Sequence, residues 1–470
     1  MEIKQKQLMK NTAIVSIGKI CTQLITFFLL PLYTAVLSTE QYGVVDLLNT
    51  LVSLFLPIVT LQIEQGIFRF LIDKREQLSG QKKIISTSLF VILIQIIVFF
   101  VLFIVVSPFI HNNYKVFLVI NLIAHIFSAV FLQISRGLGD NFTYALGSFL
   151  SGVITVLLNV ILIVGFNLGA YGMLLATFIG NSMCALYILF YKRLYKYVRF
   201  QFYDKNLAKE ILKYSIPLVP NMISWWIVNT SDRSIITFFL GVSANGIYSV
   251  SNKFSAVVST LYSVFNLTWT ESASLYINED DASQFFSEIF DMIIHLFGCL
   301  CLGIIAFMPL VFPILVNKKF DAAYLQIPIL MIGVLFNIFV SFLGSIYVAK
   351  KITTEIAKTS IFAAIINIGI NLLFVKFIGL FAASLSTAIA YISMFIYRYI
   401  DAKKYVKIIV NKRIIGIMFV AYLFTIASYY MNITLLNIVV AISIFIFSVI
   451  INIKYMHSIG KLIKTKIKNK

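Results

Sequence analysis

Charge is scarce in this chain: of 470 residues only 12% are Asp, Glu, Lys or Arg, while 60% are hydrophobic. That shortage excludes a water-soluble globule, whose surface needs far more polar cover. Cysteine and histidine are as rare, at 4 each, and no Cys-x-x-Cys occurs. Cys21, Cys184, Cys299 and Cys301 all lie in apolar runs, so the thiols read as inert packing residues rather than metal ligands. No G-x-x-x-x-G-K-[ST] is present, so the chain has no ATPase motif of its own. No segment between apolar runs is long enough to fold alone, which leaves no outer loop to house a polymerase or glycosyltransferase site. The acidic turn NEDDAS (Asn278–Ser283) reads as a solvated turn rather than a catalytic metal site. Acid is scarcer than base, 19 residues against 38. The excess has no discrete basic domain behind it, so nucleic acid is not an expected partner.

What is abundant is long apolar runs. Segments of about 18 residues or more number fourteen, from Asn11–Leu37 and Tyr42–Leu71 through Tyr214–Leu240 and Gly246–Thr270 to Ile433–Tyr455. The first follows the basic MEIKQKQLMK; it is too long for a signal-peptide core and lacks a small-residue cleavage site, so it reads as a retained span. An even count returns the C-terminus to the side where the chain starts. Of the 38 basic residues, 30 fall on that terminal side and 4 opposite, which predicts cytoplasmic termini in a multi-pass cell-membrane protein. The fold class expected is all-α and polytopic, with about 14 transmembrane helices.

The halves are weakly alike. LSTEQYGVVD (Leu37–Asp46) matches LGVSANGIYS (Leu240–Ser249) at Leu37/Leu240 and Gly43/Gly246, an offset of 203. GAYGMLLAT (Gly169–Thr177) precedes GLFAASLST (Gly379–Thr387) by 210. Two parallel six-span repeats related by an axis along the membrane normal follow, one of the known plans of secondary transporters. The division expected is 1–191, a linker 192–213, 214–400, and 401–470 holding the last two spans and a basic tail. The linker's YKRLYKYVRF reads as an interfacial segment against anionic lipid.

Four spans carry polar stripes at helical spacing. Thr12, Ser16, Lys19 and Gln23 line the first, and Asp46, Asn49, Ser53 and Glu64 the second, with Arg69 at its edge. Trp226, Asn229 and Arg233 share a face of the seventh, with Asp232 turned aside from it; Ser249, Asn252 and Lys253 mark the eighth. Hydroxyls and amides serve as ordinary interhelical glue. Charges cost about 2.5–3.5 kcal/mol each at a span centre, so they call for a wet cavity or an ion pair, with Asp46 the acid in view for Arg233. Pro31, Pro57, Pro217 and Pro220 fall in three of these spans and permit kinks. His295, one turn after Asp291, reads as a satisfied interhelical hydrogen bond before a proton relay.

FFLLPLYTAVLSTEQYGVVDL, YSIPLVPNMISWWIVNTSDRSIITFFLG and IYSVSNKFSAVVSTLYSVFNLTW together resemble bacterial polysaccharide flippases of the Wzx/RfbX type. These belong to the multidrug, oligosaccharidyl-lipid and polysaccharide exporter superfamily. The resemblance implies two six-helix lobes in a V shape plus two C-terminal helices, around a central cavity that alternates between the two sides. It implies a substrate, undecaprenyl-diphosphate-linked oligosaccharide, moved outward for capsule, O-antigen or exopolysaccharide. Arg233, Lys253, Lys19 and Arg69 would supply positive charge for the diphosphate. Asp46, Glu64 and Asp232 would limit and orient it, and Asn49, Asn229 and Asn252 would line the same path. No cofactor is implied beyond an H+ or Na+ gradient, and partners would be membrane lipids, a polysaccharide polymerase and other assembly proteins. A cation-coupled drug antiporter of the same superfamily is the alternative, weakened because the first span holds Lys19 and no interior acid; a membrane-embedded glycosyltransferase or polymerase is the second.

Overall fold

A computed structural model describes residues 27–109, 112–350 and 352–468. Helix is the only regular structure among them, as hydrocarbon requires of a backbone that must satisfy its own polar groups. The first half runs α1 (Leu30–Val36), α2 (Thr39–Thr60), α3 (Ile63–Asp73), α4 (Leu78–Val106), α5 (Lys115–Gly137), α6 (Asn141–Val160), α7 (Gly169–Tyr191), α8 (Lys205–Ser215) and α9 (Val219–Leu240). Then come α10 (Val242–Tyr276), α11 (Ala282–Leu315), α12 (Ile327–Ala349), α13 (Thr353–Ile378), α14 (Leu380–Ala402), α15 (Lys412–Met431) and α16 (Thr434–Lys468).

Eleven described helices are long and apolar enough to cross a membrane. The other three of the fourteen sequence-read spans are polar-striped ones. Asn11–Leu37 lies mostly outside the described residues. Helices α9 and α10 have the length, 22 and 35 residues, but their polar and charged residues keep them out of the apolar set.

Three of the four prolines stand at helix starts. Pro31, Pro217 and Pro220 sit in the first turn of a helix, where a missing N–H costs nothing. Pro57 stays inside α2. The sharp break in this span comes one turn later, where Leu61 and Gln62 are both left-handed, φ 50° and 58°. Two such non-glycine residues cost roughly 1–2 kcal/mol each. Thr60 holds the break: its Oγ1 accepts from the Gln62 N–H at 3.2 Å, and its carbonyl accepts from Gln95 Nε2 at 3.3 Å.

The chain divides into two compact units, residues 1–246 and 247–470. In the first, Val52, Ile67, Ile85, Leu122 and Leu174 meet in one apolar core. Helix α4 leaves Ile94, Ile97, Val98, Val101 and Leu102 more than half exposed, the face expected to meet lipid. The 192–204 segment is tied to the start of α4. Ser86 Oγ donates to the Tyr197 carbonyl at 2.6 Å and accepts from the Arg199 N–H at 3.2 Å, and Lys83 pairs with Asp204 at 2.7 Å.

The second unit is built on aromatic packing of α11, α12 and α14. Phe290 lies 5.1 Å from Phe342 and 5.3 Å from Phe339, and Trp269 of α10 stacks on Phe342 at 4.7 Å. Arg398, one of the 30 basic residues on the terminal side, does not sit in a loop. It is 1% exposed. Its guanidinium donates to Thr359 Oγ1 at 2.8 and 3.0 Å and to the Val340 carbonyl at 2.9 Å. Gly344 makes room for it, since an added Cβ would lie 2.8 Å from Nη1. Oxygen acceptors at most of its donors are what allow a buried charge here. His295 Nδ1 meets the Asp291 carbonyl at 2.6 Å, a hydrogen bond within α11 and not one between helices. Cys184, Cys299 and Cys301 are buried free thiols.

Candidate helix interface with a half-buried ion pair

Helix α2 opens with a capping box, Ser38 Oγ accepting from the Gln41 N–H at 3.1 Å and Gln41 Oε1 from the Ser38 N–H at 3.2 Å. One turn on, Gly43 lets another backbone come close. A Cβ added to Gly43 would lie 2.0 Å from the Val242 carbonyl oxygen and 2.9 Å from the Gly246 nitrogen. One added to Gly246 would lie 2.0 Å from the Thr39 carbonyl oxygen and 2.9 Å from the Gly43 nitrogen. The sequence offset of 203 carries Thr39 to Val242 and Gly43 to Gly246. The contact therefore maps onto itself, as a contact across a two-fold axis does. The thin similarity of the two decapeptides has a physical cause in this glycine-to-glycine approach.

Beside it, α9 packs along α2 in antiparallel fashion, and the two polar stripes meet. Arg233 Nε lies 3.4 Å from Asp46 Oδ2, the side chains 24% and 12% exposed. Trp226 Nε1 donates to the Thr50 carbonyl at 3.2 Å and to Ser53 Oγ at 3.0 Å. Arg233 and Trp226 are seven apart, as are Asp46 and Ser53, so each clasp is two helical turns from the other. Asn49 and Asn229, the middle members of the stripes, are exposed. Asn229 Nδ2 donates to the Trp225 carbonyl at 2.8 Å.

Asn245 completes the group and was not singled out from sequence, although it adjoins the matched Gly246. It is fully buried, and its Nδ2 donates to the Gly43 carbonyl at 3.0 Å and to Asp46 Oδ2 at 3.4 Å. Asn245 and Arg233 thus both approach one oxygen of Asp46, the first as a hydrogen-bond donor and the second as an ion pair. Arg233 uses Nε for the pair; its Nη1 and Nη2 make no hydrogen bond among the described residues. That leaves the planar fork open to an anion, the geometry that binds phosphate in bidentate fashion.

The other candidates are placed as follows. Asp232 is 3% exposed, turned from the face of Arg233. Glu64 is 4% exposed at the start of α3, just past the Leu61–Gln62 break, and its Oε2 has no hydrogen-bond partner. Arg69 is on the surface, paired with Asp73 at 2.7 Å rather than with the Asp46 group. Asn252 and Lys253 belong to the second unit, where Asn252 Nδ2 donates to the Tyr248 carbonyl at 3.0 Å. Lys19 lies outside the described residues.

Against this geometry the comparisons with known proteins are informative. A family described as polysaccharide biosynthesis protein matches residues 8–270, more than half of the chain and the whole of the α2–α9 interface. The chain belongs to that family. No curated protein matches it. Among solved structures, the lipid II flippase MurJ in an inward closed conformation is similar at 16% identity, covering 94% of this chain and 100% of its own, with a TM-score of 0.71. An inward-facing multidrug resistance MATE family transporter of the MOP superfamily is similar at 14% identity, covering 83% and 98%, with a TM-score of 0.66. A MOP superfamily transporter from Pyrococcus furiosus follows at 15%, 84% and 96%, with a TM-score of 0.54. This family member therefore has the polytopic all-helical fold of the MOP superfamily.

Proposed function

We propose that this protein is a flippase, not an enzyme, which moves undecaprenyl-diphosphate-linked oligosaccharide units across the bacterial cell membrane by alternating access between two six-helix lobes. The observation that carries this reading is the open fork of Arg233. It is a half-buried cation on a polar interhelical face, its Nε 3.4 Å from Asp46, inside the stretch matched by a polysaccharide biosynthesis family. A diphosphate brought to Nη1 and Nη2 would gain about 1–4 kcal/mol per close cation in a partly dehydrated site. Asp46 keeps the net charge low enough that the substrate can leave. The fold shared with a lipid II flippase supports a lipid-linked cargo.

The decisive experiment compares membrane abundance and surface polysaccharide for Arg233→Gln, Arg233→Lys and the Arg233→Gln, Asp46→Asn double variant. Arg233→Gln should insert normally and export nothing, and Arg233→Lys should keep part of the export. Export restored by adding Asp46→Asn would show instead that the pair only holds the helices together.

Orientation belongs to the same proposal, with both termini cytoplasmic. In a variant freed of its own cysteines, thiols placed at Asn113, Asn167 and Asn432 should label from outside intact cells, and one at Asn206 should not. A second reading, a cation-coupled antiporter, is favoured by Glu64, a buried carboxylate with an open oxygen beside a strained break. It also suggests where an H+ or Na+ gradient enters the flippase cycle. Glu64→Gln should make export insensitive to the gradient, and unchanged gradient dependence would remove Glu64 from the cycle.

A further inference from the structure

The second unit holds an apolar crevice of about 860 Å³ between α11, α12, α14 and α15. Helix α15 packs on α11 and α16, while α12 packs along α14. The gap lies between these packed helices. Phe336 and Phe395 line its inner wall; Phe419, 63% exposed, stands at its outer edge. In a membrane, such an opening faces acyl chains.

One end of this crevice is cationic. Lys403 closes α14, Lys407 lies in the following segment and Lys412 begins α15, and all three line the cavity. Backbone geometry fixes them there. The Lys407 N–H donates to Ser283 Oγ at 3.3 Å and the Ile409 N–H to Ser287 Oγ at 2.9 Å. Every second N–H of an extended segment (about 6.6 Å) meets every fourth residue of α11 (about 6.0 Å). Asp291, one turn further along α11, does not line the crevice. Lys403 Nζ stands 4.7 Å from the Tyr399 ring centroid. Lys407 and Lys412 have no acidic partner among the described residues. Lys404 differs, pairing with Asp401 at 2.6 Å and lying off the lining.

We infer that this crevice is a binding site for an anionic phospholipid of the bilayer, its phosphate among Lys403, Lys407 and Lys412 and an acyl chain against Phe336 and Phe395. Charge complementarity carries the assignment: three lysines line one end of a cavity that is otherwise hydrocarbon-like. The site lies within one unit and opens sideways, so bulk phospholipid can enter without passing through the helix interface that holds Arg233. It does not depend on the proposed cargo.

The test is native mass spectrometry of the full-length protein released from micelles holding equal amounts of phosphatidylglycerol and phosphatidylcholine with the same chains. The wild type should retain phosphatidylglycerol roughly tenfold over phosphatidylcholine, within what three interfacial lysines supply. Lys403→Gln, Lys407→Gln, Lys412→Gln together should erase that preference, whereas Lys404→Gln should keep it. Leu423→Trp, which fills the crevice, should lower retention of both lipids. Equal retention by the wild type, or a preference that survives the triple change, would overturn the site. If undecaprenyl phosphate at equal mole fraction displaced all phosphatidylglycerol, the occupant would be the carrier and the phospholipid assignment would fail.

Discussion

Residues 192–204 and residues 403–411 make a natural pair, the first following α7, the second following α14, and each laid across the start of a long helix. Both are tied down by hydroxyls. In the first, Ser86 and Thr87 each donate to one carbonyl and accept one N–H; in the second, Ser283 and Ser287 accept from linker N–H groups. Cover is where they differ. The first buries Leu194 completely and sets Phe200 and Tyr203 edge-on to Phe90, at 5.5 and 6.2 Å. The second runs KKYVKIIVN and leaves a crevice of about 860 Å³. Backbone pinning sets the path of such a segment; side-chain bulk decides whether the space beneath it closes.

The comparison presumes that the halves are related by the 203-residue offset, and the most damaging changes test that. Gly43→Ala and Gly246→Ala would each drive a methyl to 2.0 Å from a carbonyl oxygen. Each should cost roughly 3 kcal/mol, and by the same amount, read as apparent melting temperature in detergent. A large loss at one glycine and none at the other would break the two-fold relation.

Next in size are the covers themselves. Leu194→Ala, at a fully buried site, should cost about 3 kcal/mol. Val406→Ala, at 3% exposure in the second segment, should cost about 1.5 kcal/mol. Smaller again are the pins. Ser86→Ala strands a carbonyl and an N–H and should cost about 2 kcal/mol, whereas Ser287→Ala strands one N–H and should cost about 1. Equal losses at both serines would mean that the two segments are held alike.

How far the sequence could be read follows the same physics. Apolar runs announce spans because lipid leaves no alternative, and Asp46 could be named against Arg233 because charges in such runs must find a partner. The left-handed break at Leu61–Gln62 was not legible, since neither residue is glycine and the only nearby signal, Pro57, sits inside an unbroken helix. Arg398 was misplaced because a basic residue near the end of a span looks the same whether it snorkels outward or turns inward to Thr359 and Val340. The serine pins were hidden among many Ser and Thr residues whose hydroxyls bond only one turn back.

The smallest expected effect belongs to the Lys83–Asp204 pair, which the second linker has no equivalent of in its own pins. The Lys83 ammonium, 2.7 Å away, holds the Asp204 carboxyl below the usual carboxylate range, helped by the backbone N–H groups of Leu207 and Asn206 that it caps. A carboxyl whose folded value is depressed stabilises above its unfolded value, about 4, and loses that contribution as pH falls through the folded value. Asp204→Asn isolates the charge, because asparagine caps a helix nearly as well as aspartate. The variant should therefore melt slightly below the wild type at pH 7, and the difference should shrink in 0.5 M salt. It should close as the pH is taken well below 4. A gap that stayed constant from pH 7 down through that range would mean that the cap alone, and not the ion pair, ties the linker to α4.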